Sequence, residues 1–286
     1  MHFMYRTVFI KNVWNDLIAS IFNNYIDPFA EQYDNAVILF GLNADPEYYN
    51  ILEDCYQKYE KVIVYNAEPI SEYSEENLIR MLEKLSRAQE IWDYDITNTQ
   101  ILKKYNFNVK HRPPLYCENL KKLENQIEPD IDLLFIGRIT DHRSSMIKSW
   151  IDEPVFSNSQ LEEFGWNDLV IHSSNTKFVW LSNIQDSKLI NEFIARSKVI
   201  LDMNRERTGI QTPNIVRMFY PLINNKCVLT PKNKCNIFKD MVVEYDSQEE
   251  LSILITDLCV RNRWKESTNY DFKLFSDQFK ITEGLL

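Results

Sequence analysis

Short apolar runs alternate with longer amphipathic stretches along the whole sequence. In the first half, the runs Ala36–Phe40 and Lys61–Tyr65 flank a stretch that opens with the pair Asp45-Pro46, a common start for a helix. In the second half, Asp132–Ile136 and Val199–Met203 are runs of the same kind, again separated by amphipathic stretches. Alternation of buried strands with amphipathic helices predicts βαβ units and a mainly parallel sheet. The sequence therefore predicts an α/β fold.

The alternation is interrupted at His111–Tyr116. The two prolines of this segment enforce an extended backbone and exclude a helix. A charged stretch follows, and the strand–helix pattern restarts at Asp132. A chain of 286 residues suits two domains. We predict an N-terminal Rossmann-like domain at residues 1–116, a linker at 117–130, a second Rossmann-like domain at 131–263 and a C-terminal tail at 264–286.

The composition argues against several classes of protein. A net charge of −10 does not suit a nucleic-acid binder, which needs a basic face to neutralise phosphates. The five cysteines include no closely spaced pair of the kind found in structural zinc sites, so we expect reduced thiols. No run approaches the roughly 18 apolar residues of a membrane span, and the first residues do not resemble a signal peptide. We expect a soluble, cytoplasmic protein with no transmembrane segment and no nucleic-acid partner.

Glycine is scarce and falls at informative places. The sequence has five glycines, whereas average usage predicts about twenty in a chain of this length. Gly41 and Gly137 each end an apolar run, and Gly209 lies shortly beyond another run, Val199–Met203. In an open parallel sheet the carboxyl ends of the strands form the edge at which ligands bind. The glycines therefore indicate where a binding site is expected.

The segment from Phe135 to Arg143 is the first candidate binding loop. Gly137 allows close approach of the backbone to a ligand. Arg138, Thr140 and Arg143 could hold phosphate through charge-assisted hydrogen bonds. The spacing matches neither a dinucleotide-binding glycine motif nor a P-loop. A plain strand-to-helix turn is the alternative interpretation.

The segment Asn204–Pro213 is the second candidate binding loop. A helix is predicted to start at the end of this segment. The free amides and the positive dipole end at the N-terminus of such a helix suit a diphosphate. Glu206 could accept hydrogen bonds from ribose hydroxyl groups. A solvated loop before a well-capped helix is the alternative. The candidate residues of this loop and of the following helix are Arg205, Glu206, Gly209, Gln211, Thr212 and Arg217.

Two acidic segments follow strands of the first half. Glu68, in Val64–Pro69, is a candidate general base for a hydroxyl group, and a surface turn before proline is the alternative. Asp93 and Asp95 follow the apolar pair Ile91-Trp92 with a D-x-D spacing that divalent metal sites use.

Six short segments, spread over residues 60 to 260, carry a resemblance to a known family. They are Val64–Glu68, Ile91–Tyr94, Arg112–Tyr116, Phe135–Arg138, Lys198–Asn204 and Arg217–Thr230. In order and spacing they resemble segments of small glycosyltransferases of the GT-B type, which occur in bacteria and in large DNA viruses.

The resemblance implies two Rossmann-like domains that face each other across a cleft, with the nucleotide donor held mainly by the C-terminal domain and the acceptor by the N-terminal domain. It also implies that the tail after Trp264 crosses back onto the first domain. No divalent metal is required in this architecture, and arginines stabilise the departing diphosphate. The arginines available for that role are Arg138, Arg143, Arg205 and Arg207.

We therefore predict a metal-independent glycosyltransferase that needs no cofactor. It would move a hexosyl or pentosyl group from a nucleotide diphosphate sugar to a glycan or lipid-linked saccharide acceptor. The predicted catalytic residues are Glu68 and Asp93. The predicted donor-binding residues are Gly137, Arg138, Thr140, Arg143, Arg205, Glu206, Gly209, Gln211, Thr212 and Arg217. Two alternatives stay open: a metal-dependent, single-domain GT-A-like transferase that uses Asp93 and Asp95, and a catalytically degenerate module that binds nucleotide or glycan.

Overall fold

A computed structural model describes the chain in fourteen stretches. They are residues 5–9, 36–40, 48–67, 70, 73–116, 123, 128–137, 140–148, 168–173, 176–182, 187–203, 215–232, 238 and 240–282. The chain divides into two compact units. The described residues of Met1–Leu115 and of Lys280–Leu286 belong to the first unit, and those of Tyr116–Gly209 and Pro213–Phe279 belong to the second.

The first unit contains a parallel sheet in which the strands follow their order in the chain, β1-β2-β3-β4-β5. The strands are β1 (Tyr5–Phe9), β2 (Ala36–Phe40), β3 (Lys61–Asn66), β4 (Glu90–Asp93) and β5 (Val109–His111). The helices are α1 (Tyr48–Lys58), α2 (Glu75–Leu85) and α3 (Ile96–Lys104). Every residue of β3 from Val62 to Asn66 is buried, as expected for a parallel strand that is covered on both faces.

Local capping explains where two of these helices begin. The Ser74 hydroxyl accepts a hydrogen bond from the Asn77 amide at the start of α2. A carboxylate oxygen of Asp95 accepts one from the Asn98 amide, 2.9 Å away, at the start of α3. Side-chain acceptors at the N-cap satisfy amides that have no partner within the helix. Both helices therefore begin where the sequence supplies such an acceptor.

The second unit contains a six-stranded sheet with the order β11-β10-β9-β6-β8-β7. The strands are β6 (Ile131–Ile136), β7 (Asp168–Ser173), β8 (Lys177–Ser182), β9 (Ser197–Leu201), β10 (Cys227–Pro231) and β11 (Val243–Tyr245). Among the described strands, β7 and β8 form the one antiparallel pair. The helices are α4 (Asp141–Lys148), α5 (Ser187–Arg196), α6 (Ile215–Ile223), α7 (Gln248–Ile255) and α8 (Phe272–Thr282), with a π-helical turn at Thr256–Val260 and a 3-10 helix at Arg263–Thr268. The residues of α8 from Lys280 onward are assigned to the first unit.

The strand order places a change of direction between β6 and β9. The chain leaves β6 toward β8 and β7 on one side, and it leaves β9 toward β10 and β11 on the other. The chain therefore continues in opposite directions along the sheet after the neighbouring strands β6 and β9. In open α/β sheets, a crevice at such a point, outside the carboxyl ends of the strands, is the usual ligand site.

One face of this sheet packs on α4 and α7. Phe135 of β6, Trp180 of β8 and Leu201 of β9 are fully or nearly fully buried there, together with Ile147 of α4 and Leu251 of α7. The rings of Phe135 and Trp180 meet edge to face with centroids 5.3 Å apart. This aromatic pair lies near the carboxyl ends of β6 and β8.

An aromatic cluster holds the C-terminal helix of the second unit. The rings of Phe238 and Phe272 stack with centroids 5.7 Å apart. The Tyr270 hydroxyl donates to the carbonyl of Lys226 over 2.9 Å, and the amide of Tyr116 donates to the Ser276 hydroxyl oxygen over 2.7 Å. Phe272 is thus buried at the start of this helix, while Leu274 remains exposed.

The α/β class and the two mainly parallel sheets that the sequence predicts are confirmed. The antiparallel position of β7 is not foreseen by the sequence, because a strand's direction depends on which neighbour it pairs with. Among the described residues, no helix is long and apolar enough to cross a membrane.

Candidate functional site

The carboxyl edge of the second sheet holds the described part of the predicted donor site. Gly137 continues β6 by one residue, and its amide donates to the carbonyl of Leu181 in β8 over 2.9 Å. Asp202 and Met203 continue β9 in the same way, with the Asp202 amide donating to the carbonyl of Leu229 over 2.8 Å. The ends of β6 and β9 are therefore held in place beside each other.

Arg217 and Asp202 form a buried ion pair at this edge. The Nε of Arg217 donates to Oδ1 of Asp202 over 2.5 Å, and its Nη1 donates to the carbonyl of Ile136 over 3.1 Å. The two residues are only 9% and 5% exposed. One guanidinium group thus joins α6 to the ends of β6 and β9, because a planar guanidinium can donate several hydrogen bonds at once.

Asp202 is the centre of this arrangement. Its second carboxylate oxygen lies 3.3 Å from the Thr230 hydroxyl, which donates to it. The Tyr245 hydroxyl donates to the Asp202 backbone carbonyl over 2.9 Å. Burial, and then the nearby negative charge of Asp202, raise the pKa of Tyr245. Tyr245 therefore stays a neutral hydrogen-bond donor, and β9, β10 and β11 are tied together at their carboxyl ends.

Arg143 lies at the same edge and comes from α4. Its Nη2 donates to the carbonyl of Met203 over 3.1 Å. Both Arg143 and Arg217 place their guanidinium carbon 5.1 Å from the centroid of the Phe135 ring, within the range of a cation–π contact. The Thr140 side-chain oxygen accepts from the Arg143 amide over 3.3 Å at the start of the helix. Two predicted donor-binding arginines thus converge on one aromatic ring, and Thr140 caps the helix that carries one of them.

Gly137 is required by the packing around it. A Cβ atom at this position would lie 2.6 Å from Nη1 of Arg217 and 2.9 Å from Cζ of Phe135. The Gly137 carbonyl accepts a hydrogen bond from the indole Nε1 of Trp180 over 2.7 Å. Here, the close approach that needs a glycine is that of an arginine side chain of the protein itself.

Six predicted donor-binding residues lie outside the described residues. They are Arg138, Arg205, Glu206, Gly209, Gln211 and Thr212. The structure thus brings together Gly137, Thr140, Arg143 and Arg217. The other six stay predictions from the sequence.

The carboxyl edge of the first sheet holds a row of polar residues. The strand register pairs Asn66 with Asp93 and Asp93 with His111, so the three side chains lie side by side on one face of the sheet. Asn66 Nδ2 donates to Asp93 Oδ2 over 2.6 Å. The Asp95 amide and the Asn98 side chain donate to Asp93 Oδ1 over 2.8 and 3.2 Å. Asp93, which the sequence predicts to be catalytic, is fully buried. Both of its carboxylate oxygens accept hydrogen bonds from the protein.

Burial shifts the pKa values of this row. Burial raises the pKa of Asp93 well above its ordinary value, while the hydrogen bond from Asn66 acts in the opposite direction. Burial also lowers the pKa of His111 to about 4. The ring Nε2 of His111 lies 3.2 Å from the carbonyl of Tyr94. A neutral imidazole that donates there is therefore the favoured state near neutral pH.

Asp93 and Asp95, the two acidic residues of the D-x-D spacing, both have structural roles. Asp93 holds the turn after β4, and Asp95 caps α3 while its carbonyl accepts from the Thr99 hydroxyl over 3.0 Å. In the stretches that the structure describes, no group of three or more His, Cys, Asp or Glu side chains is arranged to hold a metal ion. These contacts give the metal-dependent alternative no support. Glu68, the other predicted catalytic residue, lies outside the described residues.

Sequence reasoning missed several residues of these two edges. They are Asn66 and Asn98 in the first unit and Asp202, Thr230 and Tyr245 in the second. The sequence offers one signal for Asp202, because an acidic residue directly follows the apolar run Val199–Leu201. Nothing local marks Thr230 and Tyr245, since their contacts depend on which strands become neighbours.

Comparisons with known proteins found similarity at the level of structure. No protein-family model and no curated protein matches the chain. The glycosylation-associated protein (Gap123) complex of Streptococcus agalactiae aligns with 87% of this chain and 52% of its own, at 13% identity and a TM-score of 0.47. Accessory secretory protein 1, 2 and 3 of Streptococcus pneumoniae aligns with 94% and 57%, at 12% identity and a TM-score of 0.46. Apo UGT2 of Phytolacca americana aligns with 92% and 75%, at 12% identity and a TM-score of 0.39. The chain thus spans little more than half of the first two matched chains.

Proposed function

We propose that the chain is a glycosyltransferase that binds a nucleotide diphosphate sugar at the carboxyl edge of its second sheet. The proposal rests on the two mainly parallel sheets of the α/β fold and on the segment-by-segment resemblance to GT-B-type glycosyltransferases. The acceptor, a glycan or a lipid-linked saccharide, would be held by the first unit. Transfer would need neither a cofactor nor a divalent metal.

One observation carries this proposal: the convergence of Arg143 and Arg217 on the ring of Phe135 beside Gly137. The edge where they meet is the divergence point between β6 and β9, where open α/β sheets bind ligands. The helix α4 begins there too, and a helix N-terminus favours an anion. Guanidinium groups that are already fixed stabilise a developing diphosphate charge without reorganisation.

Calorimetry with a panel of nucleoside diphosphates, in the presence of EDTA, tests the donor site. We expect one of uridine, guanosine, thymidine, cytidine or adenosine diphosphate to bind. Release of that diphosphate from its sugar conjugates then reports turnover. If no diphosphate binds, with or without manganese, the proposal is overturned.

Two variants of predicted donor-binding residues sharpen the test. Loss of a charge-assisted phosphate contact in Arg138→Ala or Arg205→Ala should cost on the order of 1.5–3 kcal/mol of diphosphate affinity. Arg196→Ala is a matched control, because Arg196 pairs with Asp130 at the amino end of the sheet. Unchanged affinity in both test variants would contradict the assigned loops. Glu68→Gln should lower turnover without weakening donor binding if Glu68 is the base.

A second candidate is a module that binds nucleotide or glycan without catalysis. The observation that favours it is the complete burial of Asp93, whose two oxygens accept hydrogen bonds from Asn66, Asp95 and Asn98. A carboxylate engaged in this way does not reach a substrate hydroxyl in this conformation. Binding of a diphosphate without turnover of any of its sugar conjugates would favour this candidate over the first.

A further inference from the structure

Ser182 occupies a distinctive place at the carboxyl edge of the second sheet. It is the last residue of β8, next to Gly137 at the end of β6, since β6 and β8 pair in parallel up to Ile136 and Leu181. Side chains alternate along a strand, so Ser182 lies on the face that carries Trp180. That is the face on which Phe135 packs and to which Arg143 and Arg217 contribute their guanidinium groups.

The Ser182 hydroxyl is buried, and it makes no hydrogen bond to any residue that the structure describes. The residue is 2% exposed, and within the part of the chain that the structure describes its Oγ has no hydrogen-bond partner. Other buried serines of the same unit are satisfied. Ser197 donates to the carbonyl of Phe193 over 2.6 Å, and Ser276 donates to that of Phe272 over 2.9 Å.

An unused hydroxyl at this depth is costly. Burial of a polar group without a partner is unfavourable, and alanine at this position would avoid that cost. Buried polar groups in folded proteins almost always have a partner. Ser182 is an exception that lies at the strand edge where the donor site is proposed.

We propose that the Ser182 hydroxyl forms a hydrogen bond with an oxygen atom of the bound nucleotide, a partner that it lacks among the described residues. This inference rests on the proposed function and adds β8 to the strands that form the donor site. A serine hydroxyl can donate to a phosphate oxygen and can exchange a hydrogen bond with a ribose hydroxyl. In either case, the contacted group is an oxygen atom of the nucleotide that lies at the end of β8, beside Gly137.

The test compares Ser182→Ala with a matched control, Ser197→Ala. Calorimetry measures the affinity of each variant for the nucleoside diphosphate that binds the unmodified chain, and thermal unfolding measures stability. For Ser182→Ala we expect a loss of affinity of about tenfold, the size of one hydrogen bond to a charged ligand group, with stability unchanged or raised. For Ser197→Ala we expect unchanged diphosphate affinity and lower stability, because the hydrogen bond from the Ser197 hydroxyl to the Phe193 carbonyl is lost.

Two further ligands identify which part of the nucleotide is contacted. If Ser182→Ala weakens binding of inorganic pyrophosphate as well as the diphosphate, the hydroxyl contacts a phosphate oxygen. If it weakens binding of the nucleoside and leaves pyrophosphate unaffected, the hydroxyl contacts the ribose.

Other outcomes overturn the inference. Unchanged diphosphate affinity in Ser182→Ala would show that the hydroxyl does not touch the nucleotide, while the proposed function would stand. A loss of stability as large as that of Ser197→Ala would show that the hydroxyl has a partner in the protein, and would also refute the inference. If no nucleotide binds the unmodified chain, the proposed function and this inference fail together.

Discussion

Arg217 donates its Nε proton to a carboxylate oxygen of Asp202 over 2.5 Å, and both side chains are buried at the carboxyl edge of the second sheet. The same guanidinium group also reaches the Ile136 carbonyl at the end of β6. The pair thus joins the two strand ends from which the chain diverges. Arg217 therefore fixes the relative positions of these two strand ends.

Removal of one partner of this pair should be strongly destabilising. Arg217→Ala leaves the Asp202 carboxylate buried without its cation, and we expect the free energy of unfolding to fall by about 3–5 kcal/mol. Arg196→Ala removes a more exposed pair with Asp130 and should cost less than about 1 kcal/mol. Denaturant unfolding of both variants checks this. Equal effects in the two variants would contradict a special role for the buried pair.

Gly137→Ala should disturb the edge through Arg217. The added Cβ would lie 2.6 Å from Arg217 Nη1 and 2.9 Å from Phe135 Cζ, so we expect a loss of about 1–3 kcal/mol in the free energy of unfolding. The effects of Gly137→Ala and Arg217→Ala on the free energy of unfolding should be non-additive. Part of the clash at Gly137→Ala disappears when Arg217 is also alanine. A double-mutant cycle measured by denaturant unfolding reports the coupling. Strict additivity would contradict the proposed contact.

Asp93→Asn separates a positioning role from a catalytic one. The groups that surround Asp93 all donate to it, so an asparagine amide would face another donor, Asn66 or Asn98. We expect a loss of stability of about 1–3 kcal/mol. The further change Asn66→Asp should restore stability, since it supplies an acceptor for the new amide. Loss of turnover with stability unchanged would instead identify Asp93 as a catalytic group.

His111 should make stability depend on pH in a predictable direction. Burial lowers its pKa from 6.5 to about 4, so between these pH values the unfolded chain binds a proton that the folded chain does not. The stabilising effect of the low pKa is therefore complete above pH 6.5 and is lost as the pH falls toward 4. Raised pKa values of Asp93 and Asp95 act in the opposite direction, so the comparison must use His111→Gln.

Thermal unfolding of the unmodified chain and of His111→Gln, at steps between pH 7 and pH 4, isolates this contribution. The stability advantage of the unmodified chain should shrink as the pH falls. A difference that stays constant across the range would show that His111 is not held in its neutral form.

The candidate site could be located from the sequence more readily than it could be described. Gly137 stands at the end of an apolar run, and the structure places it directly after β6, at the carboxyl edge of the second sheet. The sequence does not predict that the Arg217 side chain lies beside Gly137. Arg217 is 81 residues beyond Ile136 in the chain, so no local pattern connects the two positions. Asp93 shows the same limit, since its spacing to Asp95 suggests a metal site while the folded chain surrounds it with Asn66 and Asn98.

The sequence by itself determined the α/β class of this protein and the positions of many of its strands. Hydrophobic periodicity acts over a few neighbouring residues, so it can be recognised without a structure. The tertiary structure alone decided which side chains meet. Asp202 and Arg217 meet, and the Ser182 hydroxyl is left without a partner in the described part of the chain, because β9 and β8 lie on either side of β6. That strand order is set by packing of the whole unit, which no local pattern in the sequence specifies.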